Sequence, residues 1–534
     1  MSLSLLASLK SSVTRFLENR DGQVGAVFAV TILPILALTG SGVELSMINA
    51  NRGGLQNALD AAALSVVRDG AATEDEAETM IAERMSALLG RSGITVDVSE
   101  FTPSAHLVAT ANETYETVLL DVMGLTDFDL GVDTEVTTGG NRPVEVVLVL
   151  DNTPSMYGNG GIEALKRAVD EFLDVMEEAG VDEDNLRLGL VPFTISVNIR
   201  GEGFSWDWMD RAGRAEWHGN QFDETAGPVN IFDLYDAIPN AEWAGCVEYR
   251  GREYYRTDTA PVSADPDSLF VPFMIPDDPD FWDDDRTLRG ARRYDYPRAQ
   301  YLPDDLPPFD PRHPYHEQDL TQIRSTGKYD GTPMNPQSAI FTRGPNSGCS
   351  EQAVIPLQGS IDHIRRAVRD FRNPQGYGTD HLMGLMWGWR VLSPGAPYTE
   401  GAPYNDGETR KILIMMTDGE LVVGGTSAHL RTPQRSYYTG FGYAYEARRS
   451  VGDVPALNNI VRRDMAVACE SMHDLGIEIF AVTYSMNDRR TLDTLADCAS
   501  GDDHFISTRG HIDLREAFAS IARSIQADNL RLAR

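Results

Sequence analysis

A run of 22 residues without a charged side chain covers residues 22–43. As an α-helix with a rise of about 1.5 Å per residue, this run would be roughly 33 Å long, which is enough to cross the hydrocarbon core of a bilayer. Lys10, Arg15 and Arg20 precede the run, and positive side chains mark the cytoplasmic flank of a membrane helix. The pattern predicts a single-pass anchor, with residues 1–21 in the cytoplasm and the C-terminal bulk outside it.

Two alternatives to an anchor stay open for this run. A cleavable signal peptide has a shorter apolar core that ends at an A-x-A-like site, whereas this run is long and ends in Gly-Ser-Gly-Val-Glu. A helix buried in a protein core is usually shorter. Pro34 is compatible with a membrane helix, because other groups can satisfy the freed backbone there.

The region over residues 44–140 combines a helical pattern with an alternating one. Apolar residues at steps of three to four predict that the helix continues to about residue 69. These residues are Leu45, Ile48, Leu55, Leu59, Ala62 and Val66. A second helix is predicted over residues 73–89, and short alternating bursts over residues 95–136 predict strands. A long helix followed by a small sheet is the plan of a pilin-like region.

The chain carries 46 Lys and Arg against 80 Asp and Glu, which gives a formal charge of −34. This balance argues against nucleic acid as the main partner, because nucleic-acid binders carry basic surfaces. The apolar fraction of 42% is enough for packed cores. The zinc motifs CxxC and HExxH and a Gly-Lys-Ser/Thr phosphate loop are absent from the sequence.

Residues 143–534 alternate between strand and helix patterns, as an α/β domain does. The almost continuous apolar run VEVVLVL predicts a first strand buried on both faces. Further strands are predicted at residues 186–193, 412–416, 477–484 and 504–507. Helices are predicted at residues 161–179, 380–392, 457–475 and 512–532. This order predicts a mostly parallel, Rossmann-like sheet covered on both faces.

Two segments interrupt the alternation, and we interpret them as insertions over residues 200–359 and 421–456. The first is rich in Pro, Asp, Gly, Tyr and Trp, and the second carries a cluster of Tyr and Phe. A structureless loop of the first one's size would be unusual inside a domain. Its five Trp residues favour packing onto the sheet edge over disorder.

Carboxylate and hydroxyl side chains follow two of the buried strands. Asp151, Thr153 and Ser155 come directly after the first strand, and Asp418 follows the strand ILIMM. Both segments should emerge at the carboxyl edge of the sheet, where α/β folds bind ligands. Thr379 lies in a third loop, before a predicted helix. Such oxygen donors suit a hard divalent cation, Mg²⁺ or else Mn²⁺ or Ca²⁺. We expect the loop that holds Asp151 to lie at the surface.

This arrangement resembles the von Willebrand factor A domain. The metal-ion-dependent adhesion site (MIDAS) of that family has the pattern Asp-x-Ser-x-Ser, a distant Thr, and a distant Asp usually followed by Gly. The matching residues here are Asp151, Thr153, Ser155, Thr379 and Asp418. Thr153 replaces the commoner Ser but keeps the hydroxyl. The resemblance implies that a carboxylate from a protein partner completes the cation's shell. The alternative is a degenerate domain in which these residues only cap helices.

The segment DGQVGAVFAVTILPILALTGSGVELSMINANRGGLQNALDAAALSV resembles the N-terminal segment of TadG-like proteins of tight-adherence (Flp) pilus assembly. GTDHLMGLMWGWRVLSP, WAGCVEYR and NSGCSEQ also look like that family. The resemblance implies a bacterial inner-membrane protein in which a pilin-like anchor is joined to an A domain. It further implies that most of the chain is periplasmic or extracellular and that its partners are pilus or envelope components.

The four cysteines are Cys246, Cys349, Cys469 and Cys498. Outside the cytoplasm they can pair, and pairing in sequence order would close one loop with each bond. Four cysteines allow three connectivities, and the sequence does not choose among them. Four buried free thiols are the alternative.

Other candidate sites have plainer explanations. Pro314 prevents a helical pairing of His313 with His316, so a surface loop is favoured over a metal site. The acidic segment PDDPDFWDDD lacks the glycine and spacing of an EF-hand loop, so a solvated loop is favoured over a calcium site. No nucleophile and base emerge as a pair. A binding protein is therefore favoured over an enzyme, with a metal-dependent hydrolase as the alternative.

These patterns together predict a membrane-anchored accessory or minor-pilin-like component of a tight-adherence pilus system, which binds a partner through a metal ion. The alternative function is a surface adhesin or extracellular sensor unrelated to a pilus.

The basic flank and the cysteines predict that the C-terminal bulk lies outside the cytoplasm. A reporter fused after Arg534 that is active only outside the cytoplasm should therefore be active. Activity of a reporter that works only inside the cytoplasm would contradict this topology.

Overall fold

The computed structural model describes most of the chain between Gln23 and Ala533. The described residues are 23–69, 71–102, 106–117, 120, 126–138, 143–158, 160–178, 185–225, 227–251, 254–278, 299, 301–303, 317–335, 344–374, 378–424, 436–443, 454–527 and 530–533. Contacts divide the chain into Met1–Asn141 with Ala527–Arg534, and Arg142–Gln526. We name these the N-terminal unit and the α/β unit.

The helices of the described residues are α1 (Gln23–Asp69), α2 (Glu74–Leu89), α3 (Pro154–Gly158), α4 (Gly161–Glu178), α5 (Ile231–Ala237), α6 (Glu317–Arg324), α7 (Ile361–Arg369), α8 (His381–Leu392), α9 (Val454–Asp474), α10 (Arg489–Cys498) and α11 (His511–Ala527). The strands are β1 (Thr95–Thr102), β2 (His106–Glu116), β3 (Asp127–Thr138), β4 (Val144–Asp151), β5 (Leu186–Phe193), β6 (Val197–Asn198), β7 (Cys246–Val247), β8 (Ile355–Gln358), β9 (Arg410–Thr417), β10 (Tyr438–Thr439), β11 (Gly442–Tyr443), β12 (Ile477–Tyr484), β13 (Phe505–Thr508) and β14 (Leu530–Ala533).

The N-terminal unit is a four-stranded antiparallel sheet, in the order β1-β2-β3-β14, packed against α1 and α2. Leu107, Ala109 and Ala111 of β2 are buried, because alternate side chains of a strand point to the same face. They share one hydrophobic core with Leu59 of α1 and Ile81 of α2. A long helix, a second helix and a small sheet are therefore present in this unit.

Leu45 belongs to the apolar series that predicts α1, but its side chain does not face the core. The residue is 49% exposed, whereas the neighbouring Glu44 and Ile48 are buried. The Glu44 carboxylate accepts a hydrogen bond from the backbone N–H of Leu120 at 2.7 Å. A polar side chain thus occupies the core-facing position, one residue before Leu45, because a backbone donor satisfies it there.

The predicted anchor falls mainly on residues whose side chains are not described. The backbone of α1 is helical from Gln23 onward, but residues 1–22 and the side chains of residues 23–40 lie outside the described part. Within the part that the structure describes, no helix is long and apolar enough to cross a membrane. The anchor over residues 22–43 stays a prediction.

The α/β unit is built on a six-stranded sheet in the order β13-β12-β9-β4-β5-β8. Neighbouring strands are parallel, except that β8 runs antiparallel to β5. Val146 and Leu148 of β4 share a core with α4 and α11, whereas Val147 and Val149 share the opposite core with α8 and α9. Because both faces are covered, the strand is apolar throughout. The predicted mixed α/β fold is confirmed.

Three predicted boundaries of this region differ from the structure. The segment assigned to the first insertion includes β8, which is the antiparallel edge strand of the main sheet. The domain predicted over residues 143–534 and the helix predicted over residues 512–532 also run too far. The helix α11 ends at Ala527, and β14 pairs antiparallel with β3 of the N-terminal unit. An isolated four-residue strand takes its structure from its partner and carries little pattern of its own.

The described part of the first insertion packs around aromatic side chains. Trp208, Trp217 and Trp243 are buried in the core that also contains α8, whereas Trp206 is 42% exposed. The expected packing of the insertion is therefore present for these residues. Trp282, both histidines of the HPYH segment and most of the acidic segment PDDPDFWDDD lie outside the described residues.

Both cysteine pairings in sequence order are present as disulfides. Cys246 is bonded to Cys349, and Cys469 is bonded to Cys498. The described residues contain no free cysteine. The first bond joins β7 to the segment before β8, and the second joins α9 to α10.

Helix α8 approaches the sheet closely at Gly388. A Cβ atom there would lie 2.5 Å from Val149 Cγ2 and 2.7 Å from Leu413 Cδ1. The missing side chain therefore lets α8 lie directly against β4 and β9.

We expect Gly388→Ala to lower the free energy of unfolding by about 1–3 kcal/mol, because the added methyl overpacks the core. Gly53→Ala is the matched control, since a Cβ at that helical glycine meets nothing within 4 Å. The control should stabilise by about 0.5–1 kcal/mol, the ordinary effect of replacing a helical glycine. Denaturant titration measures both variants. A stabilised Gly388→Ala would contradict the close approach.

Candidate functional site

Two carboxylates lie where the strand order of the sheet reverses. β4 sits between β5 and β9, so the connections on its two sides lead away in opposite directions and leave a crevice at the carboxyl edge. Asp151 is the last residue of β4, and Asp418 follows Thr417, the last residue of β9. Leu150 pairs with Met416. The next residues of the two strands, Asp151 and Thr417, are therefore neighbours.

Asp151 accepts hydrogen bonds from its own loop and from the end of β9. Its Oδ1 accepts a hydrogen bond from the backbone N–H of Thr153 at 2.8 Å, and its Oδ2 accepts one from the Thr417 hydroxyl at 2.6 Å. The residue is fully buried, so the expected surface position of this loop is wrong for Asp151. Its burial follows from its place inside the ladder, since it is still paired with Phe193 of β5.

Ser155 connects this loop to the second carboxylate. Its hydroxyl donates to Asp418 Oδ1 at 2.7 Å, across 263 residues of sequence. Thr153 Oγ1 lies 2.8 Å from Ser155 Oγ. Either hydroxyl can donate in that contact, and the Thr153 side chain also bonds the Asp151 carboxylate. A chain of hydroxyl contacts therefore connects Thr153 through Ser155 to Asp418.

Thr379 reaches the same edge through the third loop. It exchanges backbone hydrogen bonds with Val422 at 3.0 and 3.2 Å. A Cβ atom at Gly419 would lie 2.8 Å from Thr379 Oγ1, so a glycine after Asp418 is what allows this approach. The structure thus brings Thr379 to the loop of Asp418, and Ser155 brings that loop to Asp151.

Burial dominates the electrostatics of both carboxylates. It raises the pKa of Asp151, although hydrogen bonds from Thr153 and Thr417 act in the opposite direction. Burial and then the charge of Asp151 raise the pKa of Asp418 to about 7, against the lowering effect of the Ser155 hydrogen bond. No Lys, Arg or His of the described residues forms an ion pair with either carboxylate. Two acidic groups therefore share a site at which the described residues supply no ion pair.

The donor set fits a hard divalent cation better than a soft one. Two carboxylates and three hydroxyls offer only oxygen, and Mg²⁺ is usually held by one or two carboxylates and several waters. Within the described ranges, no three side chains of His, Cys, Asp and Glu gather to hold an ion. A cation at this edge would therefore depend on hydroxyls and water for the rest of its shell, and it would offset the charge of the paired carboxylates.

The sequence analysis did not select Thr417 or His381 as site residues. His381 Nε2 lies 3.1 Å from Thr417 Oγ1, and because the Thr417 proton goes to Asp151, the imidazole must donate from Nε2. Burial lowers the pKa of His381 to about 3, so the ring is neutral. The position of Thr417 opposite Asp151 follows from strand register, which the sequence does not state. No pattern in the sequence marks His381.

Residues 22–69 match the family model described as "Putative Flp pilus-assembly TadE/G-like". The matched segment is the uncharged run together with the rest of α1. The likeness to this family therefore lies in the N-terminal unit. No curated protein sequence matches the chain.

Several solved structures resemble the chain at low similarity. The pilus adhesin SpaC from Lactobacillus rhamnosus GG is 12% identical with a TM-score of 0.33, over 82% of this chain and 35% of its own. The vWF domain of the type V pili tip protein Mfa5 from Porphyromonas gingivalis is 12% identical with a TM-score of 0.31, over 73% of this chain and 97% of its own. Proximal thread matrix protein 1 from the mussel byssus is 9% identical with a TM-score of 0.28, over 72% and 47%. At such scores, the fold assignment rests on sheet order and register.

The raised pKa of Asp418 gives the site a pH dependence. Between its ordinary value of 3.8 and about 7, the folded chain holds a proton that the unfolded chain has lost. The contribution of this group to stability therefore falls as pH rises through that window. A cation competes with the proton, so it should stabilise the protein more at pH 8 than at pH 5.

Thermal unfolding with and without millimolar Mg²⁺ at these two pH values measures the effect. We expect a larger rise in Tm at pH 8, and we expect Asp418→Asn to remove the difference. Asp406→Asn, which alters an exposed turn, should leave the difference intact. An equal Mg²⁺ effect at both pH values would contradict the assignment.

Proposed function

We propose that this chain is a membrane-anchored accessory or minor-pilin-like component of tight-adherence (Flp) pilus assembly. In this proposal its α/β unit is a von Willebrand factor A domain that binds a protein partner through a divalent cation. The family match of residues 22–69 supports the link to the pilus. The hydrogen bond between Ser155 and Asp418 is the observation that carries the cation site.

The proposed ligands are Asp151, Thr153, Ser155, Thr379 and Asp418. When bound, Mg²⁺ or Mn²⁺ would supply a positive centre that a carboxylate of the partner can approach. Asp151 and Thr153 are buried, whereas Ser155 is exposed and Asp418 is partly exposed. The two inner residues would orient the site, and the two outer residues would lie on the side that a partner reaches.

Helix capping alone explains only part of this arrangement. The bond from the Thr153 N–H to Asp151 is the kind of contact that an Asp makes at an ordinary turn. The bond from Ser155 to Asp418 is different, because it joins loops that follow two different strands. Gathering two carboxylates is also costly for a purely structural turn when, as in the part of the chain that the structure describes, no basic side chain pairs with them. These two observations favour a cation over simple capping.

Binding fits the described hydroxyls better than catalysis does. The Thr153 and Ser155 hydroxyls contact each other, and Ser155 donates to Asp418. A serine nucleophile is usually activated by an imidazole, and the described contacts pair neither hydroxyl with one. His381 donates to Thr417 and is neutral, so its accepting nitrogen does not serve either hydroxyl.

We further propose that residues 22–43 span the bacterial inner membrane, with residues 1–21 in the cytoplasm and the rest of the chain periplasmic or extracellular. The uncharged run and its basic flank support this placement. Both disulfides are consistent with an oxidising compartment.

Titration of the full-length protein in detergent with Mn²⁺ tests the cation site. We expect the wild type to bind Mn²⁺. Asp151→Asn should bind at least tenfold more weakly, because it removes the charge of one proposed ligand that the other ligands cannot replace. Asparagine keeps the shape of the buried side chain, so the fold should persist. Glu420→Gln is the matched control, since Glu420 is an exposed acid two residues from Asp418, and it should bind like the wild type.

A pulldown from envelope extract, with Mg²⁺ or with a chelator, tests the partner. Pilus or envelope proteins should be retained by the wild type only with the cation, and Asp151→Asn should not retain them. Cation-independent retention by both proteins would mean that the α/β unit is a scaffold without an adhesion site.

A further inference from the structure

The segment Asn346–Ser350, which we name the brace, lies beside the candidate site and is fixed to the insertion. Cys349 of the brace is bonded to Cys246 of β7. Asn346 accepts a hydrogen bond from the Tyr235 hydroxyl at 2.9 Å and donates to the backbone oxygen of Glu242 at 2.9 Å. Asn346 and Ser350 are completely buried. The brace is therefore held independently of the site.

The brace contacts the loop of Asp151 through Asn152. The Asn152 side chain donates to Ser350 Oγ at 3.2 Å, and its oxygen accepts a bond from the Tyr157 hydroxyl at 2.7 Å. The Asn152 backbone N–H donates to Phe193 at 2.9 Å. Asn152 lies between two proposed ligands, so its position fixes theirs.

The brace contacts the loop of Thr379 through Thr194. The Thr194 hydroxyl donates to the backbone oxygen of Gly348 at 2.6 Å. The backbone oxygen of Thr194 accepts a hydrogen bond from the N–H of Asp380 at 3.0 Å, and Asp380 directly follows Thr379. Asp380 also caps α8, with its Oδ1 accepting from Met383 N–H at 3.1 Å. Thr194 thus links the brace to the end of the third loop, where α8 begins.

We infer that the brace is a positioning element for the cation site, and that the disulfide Cys246–Cys349 acts on cation affinity through it. This inference rests on the proposed function. The loop of Asp151 follows β4 and the loop of Thr379 lies between α7 and α8. The brace bonds the first loop directly and reaches the second through Thr194. A ligand set of neutral hydroxyls and two carboxylates tolerates little displacement, because Mg²⁺ demands near-octahedral geometry. Residues behind the ligands therefore set the affinity.

Thr194 offers the sharpest test, because two substitutions separate its hydroxyl from its shape. Thr194→Val removes the donor to Gly348 and keeps the volume, whereas Thr194→Ser keeps the donor. We expect Thr194→Val to weaken Mn²⁺ affinity about tenfold and Thr194→Ser to bind within about twofold of the wild type. Thr508→Val is the control. Thr508 is a buried threonine of the edge strand β13, and its hydroxyl donates to the backbone oxygen of Thr483 in β12 at 2.9 Å.

Hydrogen exchange of the cation-free protein gives a readout that does not depend on the ion. Peptides that cover residues 151–158 and 378–383 should exchange faster in Thr194→Val than in Thr194→Ser or Thr508→Val. If Thr194→Val loses affinity while these peptides exchange at the wild-type rate, the positioning role is overturned.

The disulfide of the brace provides a second test. Replacing Cys246 and Cys349 with serine should lower Mn²⁺ affinity, because Cys349 belongs to the brace. If the wild type binds no divalent cation, the proposed function and this inference fail together. If the wild type binds and neither Thr194→Val nor the first disulfide variant loses affinity, only the inference fails.

Discussion

The pairing of β4 with β9 at the centre of the sheet is the contact on which the candidate site depends. These strands are buried on both faces, and their register places Asp151 opposite Thr417. Helix α8 packs closely against both strands at Gly388. Asp380 caps the start of the same helix, so the loop of Thr379 is fixed to the sheet by the helix that follows it. Each ligand-bearing loop therefore begins or ends on a rigid element.

Rigidity of this kind has an electrostatic cost. The sheet edge holds two carboxylates near each other, and burial disfavours their charged forms. Hydrogen bonds from Thr153, Thr417 and Ser155 offset part of that cost, but the pKa of Asp418 still rises to about 7. Perturbed groups of this kind gather at functional sites more often than elsewhere. A cation is the partner that would relieve the remaining repulsion.

The sequence predicted those parts of the structure that depend on local pattern. The strand at residues 144–150 and the position of Asp151 after it follow from an apolar run and a polar break. What it missed depends on distant partners. The edge strand β8 follows a long insertion, and β14 forms by pairing with β3. The Thr417 hydroxyl bonds Asp151 because the register of β4 and β9 places them side by side. Glu44 faces the core in place of Leu45 because its carboxylate accepts a hydrogen bond from the backbone N–H of Leu120. The spacing of apolar residues does not indicate such a contact.

The brace could not be predicted for the same reason, since Gly348 and Ser350 lie more than a hundred residues from the loops that they contact. Its contacts arise only after the insertion has folded back on the sheet edge. Crystals of the protein grown with Mn²⁺ and measured by anomalous diffraction would test the central claim most directly. The account predicts one strong anomalous peak between the side chains of Ser155 and Asp418, and the same peak should be missing in Asp151→Asn. Crystals with no peak at that edge, or with the peak elsewhere on the chain, would contradict it.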